Sequence, residues 1–165
     1  MKKFVLAGLC AGAMGCVPVV VPIPVTVSSG QLAPTEIALA QTAPAIQAFD
    51  QQFAAVRAAQ GLPALRSNAQ LDRVALAHSQ DMLANGYLSH EDRNGLRAQG
   101  RVRKAGITRC GIGENIAQGQ KSVDEVVSAW LASAGHRRNM LNRDYSSYGI
   151  GRVGDTWTLV FALPC

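Results

Sequence analysis

Trp130-Leu131-Ala132-Ser133-Ala134-Gly135-His136-Arg137-Arg138-Asn139 is the stretch that decides how this chain is read. Its first half continues a helical pattern. Val123, Val126, Val127, Trp130 and Ala134 recur at helical spacing, and Ser122-x-x-Glu125 is a capping box that opens the helix. Gly135 is placed as a left-handed terminator, so His136 is expected immediately past the helix end. Two further short motifs lie upstream, Gly113-Glu114-Asn115 and Ser89-His90. Glu114 follows His90 by 24 residues and precedes His136 by 22 (114 − 90 and 136 − 114). Such separations are too wide for one turn or one loop, so only tertiary structure can bring the three together. Two imidazoles and a carboxylate form a constellation for a divalent metal or for acid/base chemistry.

At 165 residues the chain suits one domain with a real core. The formal charge is +5; without Lys2 and Lys3 the balance is 14 basic against 11 acidic residues, or +3. That mild excess is weak support for a polyanionic partner. The first 16 residues read as an export signal: Lys2-Lys3, the uncharged run Phe4 to Gly15, then Cys16. Ala13-Met14-Gly15-Cys16 resembles a bacterial lipobox, with Cys16 as the lipidated residue. The second reading is cleavage after Ala38-Leu39-Ala40. The third is a membrane anchor over Phe4 to Val27, long enough to span but interrupted by Pro18, Pro22 and Pro24. The lipoprotein is preferred, and all three readings place the domain outside the cytoplasm.

Residues 17–44 read as a flexible tether and 45–165 as the folded domain. Ile46, Phe49, Phe53 and Val56 predict an amphipathic helix over Ala45 to Gln60, ended by Gly61-Leu62-Pro63. Asn68 is expected to cap a second helix over Ala69 to Ala84, with His78 on its apolar stripe as a core histidine and Asn85-Gly86 as its stop. Asn94 to Lys104 is expected as a short basic helix. Arg93, Arg97 and Arg101, with Lys104 nearby, read as a solvated face, and no aromatic residues interleave to stack bases, so nucleic acid is not expected. A strand near Gly113 to Gln118 projects Glu114 from a sheet edge. A hairpin closes the chain, Gly149 to Val153 and Thr156 to Leu163 about a Gly154-Asp155 turn. Helices first and strands late point to α+β layers rather than a doubly wound sheet. Trp130 and Trp157 are expected in the core.

Outside the leader the only cysteines are Cys110 and Cys165. Two cysteines in an exported chain most often pair; a catalytic thiol at Cys110 is the rival reading.

From about residue 46 onward the chain resembles the CAP superfamily of cysteine-rich secretory proteins, antigen 5 and pathogenesis-related 1 proteins, also called SCP, in its bacterial branch. The resemblance rests on Arg57-x-x-x-Gly61-Leu62-x-x-Leu65, Asp81-Met82 with Ser89-His90, and Gly113-Glu114-Asn115-Ile116-Ala117. Trp130-x-x-Ser133-x-Gly135-His136-Arg137-x-Asn139, Tyr145 and Gly149-x-Gly151 complete the order. It implies a three-layer α-β-α sandwich around a mostly antiparallel sheet, with a cleft containing His90, Glu114 and His136 beside Asn115 and Ser133. Many animal and plant members carry a second acid where this chain has Ser133. His90 and His136 remain as metal ligands for zinc or another divalent cation. Glu114 is then the carboxylate ligand, a candidate general base, or a group that only holds one imidazole in its tautomer.

Two functions follow from different classes. One is an extracytoplasmic binding module, monomeric and joined to the membrane through its lipid anchor, that takes a lipid, peptide or cell-envelope ligand. The resemblance favours it. The other is a metal-dependent hydrolase of peptide or envelope substrates, with water activated on zinc and Glu114 as base. Against the hydrolase stands the absence of an H-E-x-x-H helix. A serine nucleophile fares worse, since neither Ser89 nor Ser133 lies in a G-x-S-x-G elbow.

Overall fold

The last strand organises the molecule. Thr156–Leu163 (β4) is buried along nearly its whole length, and its side chains alternate between two apolar layers. Trp157, Leu159 and Phe161 join one cluster, while Val160 and Ala162 join the other. A strand buried on both faces must carry a helical layer on each side, and the α-β-α arrangement follows.

The computed structural model describes residues 34–165. The leader 1–16 with Cys16, the alternative anchor Phe4 to Val27 and most of the expected tether lie outside the described residues. In chain order the elements are α1 (Pro34–Ala58), β1 (Arg66–Ser67), α2 (Ala69–Asn85), α3 (Ala98–Lys104), β2 (Gly111–Gln118), α4 (Val123–Ala132), α5 (Ala134–Met140), β3 (Ser147–Val153) and β4. The sheet order is β1-β3-β4-β2. β3/β4 and β2/β4 are antiparallel, and only the short β1 runs parallel to β3. The expected hairpin is present, with Gly154 at φ +60° in its turn, and β2 is an edge strand. Among the described residues no helix is long and apolar enough to cross a membrane.

α1 begins at Pro34 rather than Ala45, so the last residues read as tether are helical. The helix runs through Pro44. Phe49 and Phe53 face Trp130, Tyr148 and Phe161 in the layer shared with α4. Arg57, fully buried, donates to the carbonyls of Pro63, Met140 and Asn142 at 2.8, 2.7 and 3.0 Å, tying the end of α1 to the end of α5.

α2 forms as its sequence predicts. Asn68 Oδ1 accepts from the backbone N–H of Gln70 and Leu71 at 2.9 and 3.1 Å, and Gly86 ends the helix at φ +65°. The helix lies directly on β3, because the strand presents Gly149 and Gly151 to it. A Cβ at Gly149 would overlap the backbone of Leu71 and Asp72, and one at Gly151 the backbone of Leu76. Asp72 Oδ1 accepts from Ile150 N at 2.9 Å, and Ser79 Oγ donates to Gly151 O at 3.1 Å.

One expected boundary is corrected. Gly135 does not terminate the helix holding Trp130. The break falls at Ser133, whose backbone is extended (φ −91°, ψ 122°), and a new helix starts at Ala134. His136 therefore lies within α5. Ser133 N donates to Trp130 O at 3.3 Å and Ser133 O accepts from Arg137 N at 2.8 Å, so this residue joins two helices.

Cys110 and Cys165 are joined by a disulfide with Cα atoms 5.1 Å apart, linking the approach to β2 with the residue that follows β4.

Candidate functional site

Adjacent residues of a strand point to opposite faces, and on β2 this alternation divides the site. Ile112 packs in the α2/α3 layer. Ala117 packs in the α1/α4 layer, and a Cβ on Gly113 would meet the Tyr145 hydroxyl of that same layer. Glu114 accordingly faces the α2/α3 side and Asn115 the α5 side. Because β2 is the sheet edge, the two halves flank an open border.

On the first side, Glu114 is buried, its side chain 5% exposed. His90 Nδ1–H donates to Glu114 Oε1 at 2.8 Å, and the Arg101 guanidinium donates through Nη2 to Oε2. Arg101 also donates through Nη1 to His90 O at 3.0 Å and Leu96 O at 2.6 Å. One buried cation thus holds both the carboxylate and the backbone of the loop that carries His90. His78 supports the same loop, its Nε2–H donating to Ser89 O at 2.9 Å. Burial, with the Arg101 charge adding to it, holds the His78 imidazole below its ordinary value. The His90 side chain is 41% exposed. With Nδ1 as donor to Glu114, the neutral ring has Nε2 as its acceptor.

On the second side, two asparagines clasp α5 to the strand. Asn115 Nδ2 donates to His136 O at 3.1 Å, and Asn139 Nδ2 donates to Glu114 O and Asn115 Oδ1 at 3.2 and 2.9 Å. Trp130 Nε1 donates to Ile116 O at 3.2 Å. These bonds satisfy strand carbonyls beside an open edge and fix where His136 stands. Burial lowers the His136 imidazole from its ordinary value, and the charge of His90 acts in the same direction.

A cavity of about 320 Å³ opens at His90, lined also by Arg97, Ala98, Gln99, Ile112 and Glu114. His136, Asn115 and Ser133 do not line it. Sequence reasoning named the carboxylate and both histidines but read Arg101 as solvated. Arg101 lies three residues after the buried Ala98 and beside the buried Val102, on the side of α3 that faces the sheet. That spacing was the signal for it.

Both Glu114 oxygens are engaged, and among the described residues no group of three or more His, Cys, Asp and Glu side chains is placed to hold a metal. A zinc centre with three protein ligands and an activated water does not fit this set.

The chain is 40% identical to an uncharacterized Bacillus subtilis protein, YkwD, over 109 residues, which is 65% of this chain and 42% of YkwD. An uncharacterized membrane protein of the same bacterium, YlbC, is 34% identical over 96 residues, 58% of this chain and 28% of YlbC. The matched region is therefore less than half the length of these curated relatives. Among solved structures, an extracellular Bacillus anthracis protein containing an SCP domain superposes with a TM-score of 0.71 at 29% identity, over 82% of this chain and 45% of that one. An outer surface protein of Borrelia burgdorferi shares the fold, with a TM-score of 0.71 at 22% identity over 75% of this chain and 96% of that one. A family model matches residues 51–161, the span that holds every motif from Arg57 to Gly151, and the chain belongs to the CAP family, the cysteine-rich secretory protein family.

Proposed function

We propose that the domain is an extracytoplasmic binding module whose His90 cleft takes a cell-envelope ligand. The observation that carries this reading is the engagement of Glu114 by Arg101 and His90 together. A general base needs a carboxylate oxygen within reach of the proton it removes. Here the carboxylate instead holds an exposed imidazole in one tautomer. The result is a pre-positioned acceptor, His90 Nε2, at the mouth of a cavity that also offers the Arg97 guanidinium, the Gln99 amide and apolar surface from Ala98 and Ile112. A cavity of this mixed character suits a ligand with a hydrogen-bond donor and an acidic or carbonyl group, such as a wall peptide or a lipid headgroup.

Export and lipid attachment at Cys16 belong to the same proposal, supported by the leader sequence and by relatives described as extracellular and outer-surface proteins.

The test uses full-length protein, wild type and His90→Ala, incubated with peptidoglycan, with extracted envelope lipids and with wall peptides. Retention of wild type on one fraction, at least tenfold weaker for the variant, is the expected result. Equal retention of both would remove His90 from the binding site. Soluble products released by wild type alone would make the protein a hydrolase.

A further inference from the structure

The face of the sheet that carries α2 changes character at its β1 end. Tyr148 packs in the α1/α4 layer, so Ser147, one residue earlier on β3, faces the α2 side. Its partners across the sheet are Ala162 of β4 and Arg66 of β1. Register partners share a face, and the row therefore runs from an apolar side chain through a hydroxyl to a guanidinium. A cavity of about 400 Å³ opens at this end, lined by Arg66, Arg109, Asn68 and three serines, Ser67, Ser146 and Ser147. It shares no residue with the His90 cavity. Asp72 and Asp144 flank it in sequence, but no aspartate or glutamate lines it. Among the described residues neither Arg66 nor Arg109 takes part in an ion pair. Ser147 adds an independent sign of an unmet partner. The residue is 7% exposed, and its Oγ is buried without a hydrogen-bond partner, which is unfavourable for a polar group removed from water.

Two unneutralised guanidiniums and three hydroxyls around one cavity are a set of donors without an acceptor. Asn68 belongs to that set, because its Oδ1 is committed to the cap of α2 and its Nδ2–H groups remain to donate. α2 starts at Ala69, beside the cavity, and the positive end of its dipole adds to the same field. The complement is a compact anion with several acceptor oxygens, and a phosphoryl group has three. We propose that this cavity is a second binding site, for a phosphoryl group, either free or carried on a small ester. Arg66 and Arg109 meet its charge, and the Ser147 hydroxyl donates to one of its oxygens. The volume lies in the lower part of the range of small-molecule sites, roughly 300–1,000 Å³, which leaves room for a small organic substituent beyond the phosphate.

The experiment is calorimetric titration of the full-length protein with glycerol 3-phosphate, inorganic phosphate and glycerol. Glycerol 3-phosphate is expected to bind saturably, one per chain, and glycerol not at all. Tighter binding of the ester than of inorganic phosphate supports the site and assigns it to phosphate esters. Equal binding supports it and assigns it to free phosphate. Arg66→Gln/Arg109→Gln should weaken binding roughly tenfold or more. Ser147→Ala should weaken it roughly threefold while keeping the wild-type melting temperature, since a hydroxyl without a partner adds nothing to the fold. Two controls should bind as wild type does: His90→Ala, which alters the other cavity, and Arg73→Gln/Lys104→Gln, which removes two cations at exposed positions away from this one. The proposal is overturned by non-saturable or absent binding of both phosphates, or by full affinity in Arg66→Gln/Arg109→Gln. Equal weakening in Arg73→Gln/Lys104→Gln would also overturn it, reducing the effect to diffuse positive charge. So would loss of binding in His90→Ala, or a melting temperature lowered by Ser147→Ala with binding unchanged.

Discussion

His90 Nδ1 stands 2.8 Å from Glu114 Oε1, across 24 residues of sequence. The contact exists because a loop after α2 and an edge strand after α3 are both drawn to one guanidinium, that of Arg101. Arg101, rather than either site residue, is the hub of this half of the cleft.

Arg101→Met leaves Glu114 buried without its cation. Breaking a buried pair from one side is strongly unfavourable, and a loss of about 3 kcal/mol is expected in urea unfolding. Arg101→Met/Glu114→Leu should be less destabilised than the single variant. A more damaged double variant would show that Glu114 has a further partner.

His136 should titrate below the ordinary histidine value, 6.5, because burial and the His90 charge both oppose its protonation. The folded state therefore favours the neutral ring. Its contribution to stability is present above the ordinary value and is lost as pH falls through the lowered one. In His90→Ala the charge effect disappears and burial remains, so the His136 midpoint should rise only part of the way. Imidazole nitrogen NMR reads this directly, and an unmoved midpoint would mean that the two rings do not interact.

Asp72 has the opposite sign. Burial pushes its carboxyl up to about 6, with the neighbouring charge of Asp50 adding, against the Ile150 N–H bond and the Arg73 charge. The folded state favours the protonated acid, so this contribution is complete below the ordinary value of 3.8 and is lost as pH rises through about 6. Asp72→Asn keeps an oxygen for Ile150 N and removes the titration. Its melting temperature relative to wild type should therefore climb between pH 4 and pH 7, and a constant difference would contradict the shift.

The Cys110–Cys165 bond closes a loop with a sequence separation of 55. In the chain-entropy account such a loop is worth about 4 kcal/mol. Reduction, or Cys110→Ser/Cys165→Ser, should lower stability by up to that amount without changing the fold seen by circular dichroism. Two free thiols in native, unreduced protein would refute the bond.

Gly151→Ala tests how α2 sits on the sheet. The added methyl meets the Leu76 backbone, which has no side-chain freedom to yield, and a loss of about 3 kcal/mol is expected. Stability within 0.5 kcal/mol of wild type, roughly the range of ordinary surface substitutions, would mean that the helix moves aside easily.

Much of this molecule was legible before folding. Asn68 and Gly86 bound α2, Ser122 opens α4, and Gly154 turns the final hairpin, each by local chemistry within a few residues. The Gly149-x-Gly151 spacing belongs to the family pattern, but only the structure shows its cause, the overlap that any Cβ would make with α2. The α5 start was misread because Ser133 and Gly135 both interrupt a helix plausibly, and the choice rests on how Asn115 and Asn139 hold the following turn against β2.

By itself the sequence determined the family, the layered class and the pair of cysteines, and it singled out His90, Glu114 and His136 as candidates, because these depend on local pattern and residue type. Tertiary structure alone decided what Glu114 does. Its neighbours His90 and Arg101 come from different elements, and a carboxylate's role depends on which groups face its two oxygens. No spacing along the chain encodes that arrangement; the packing of α3 against the edge of β2 creates it.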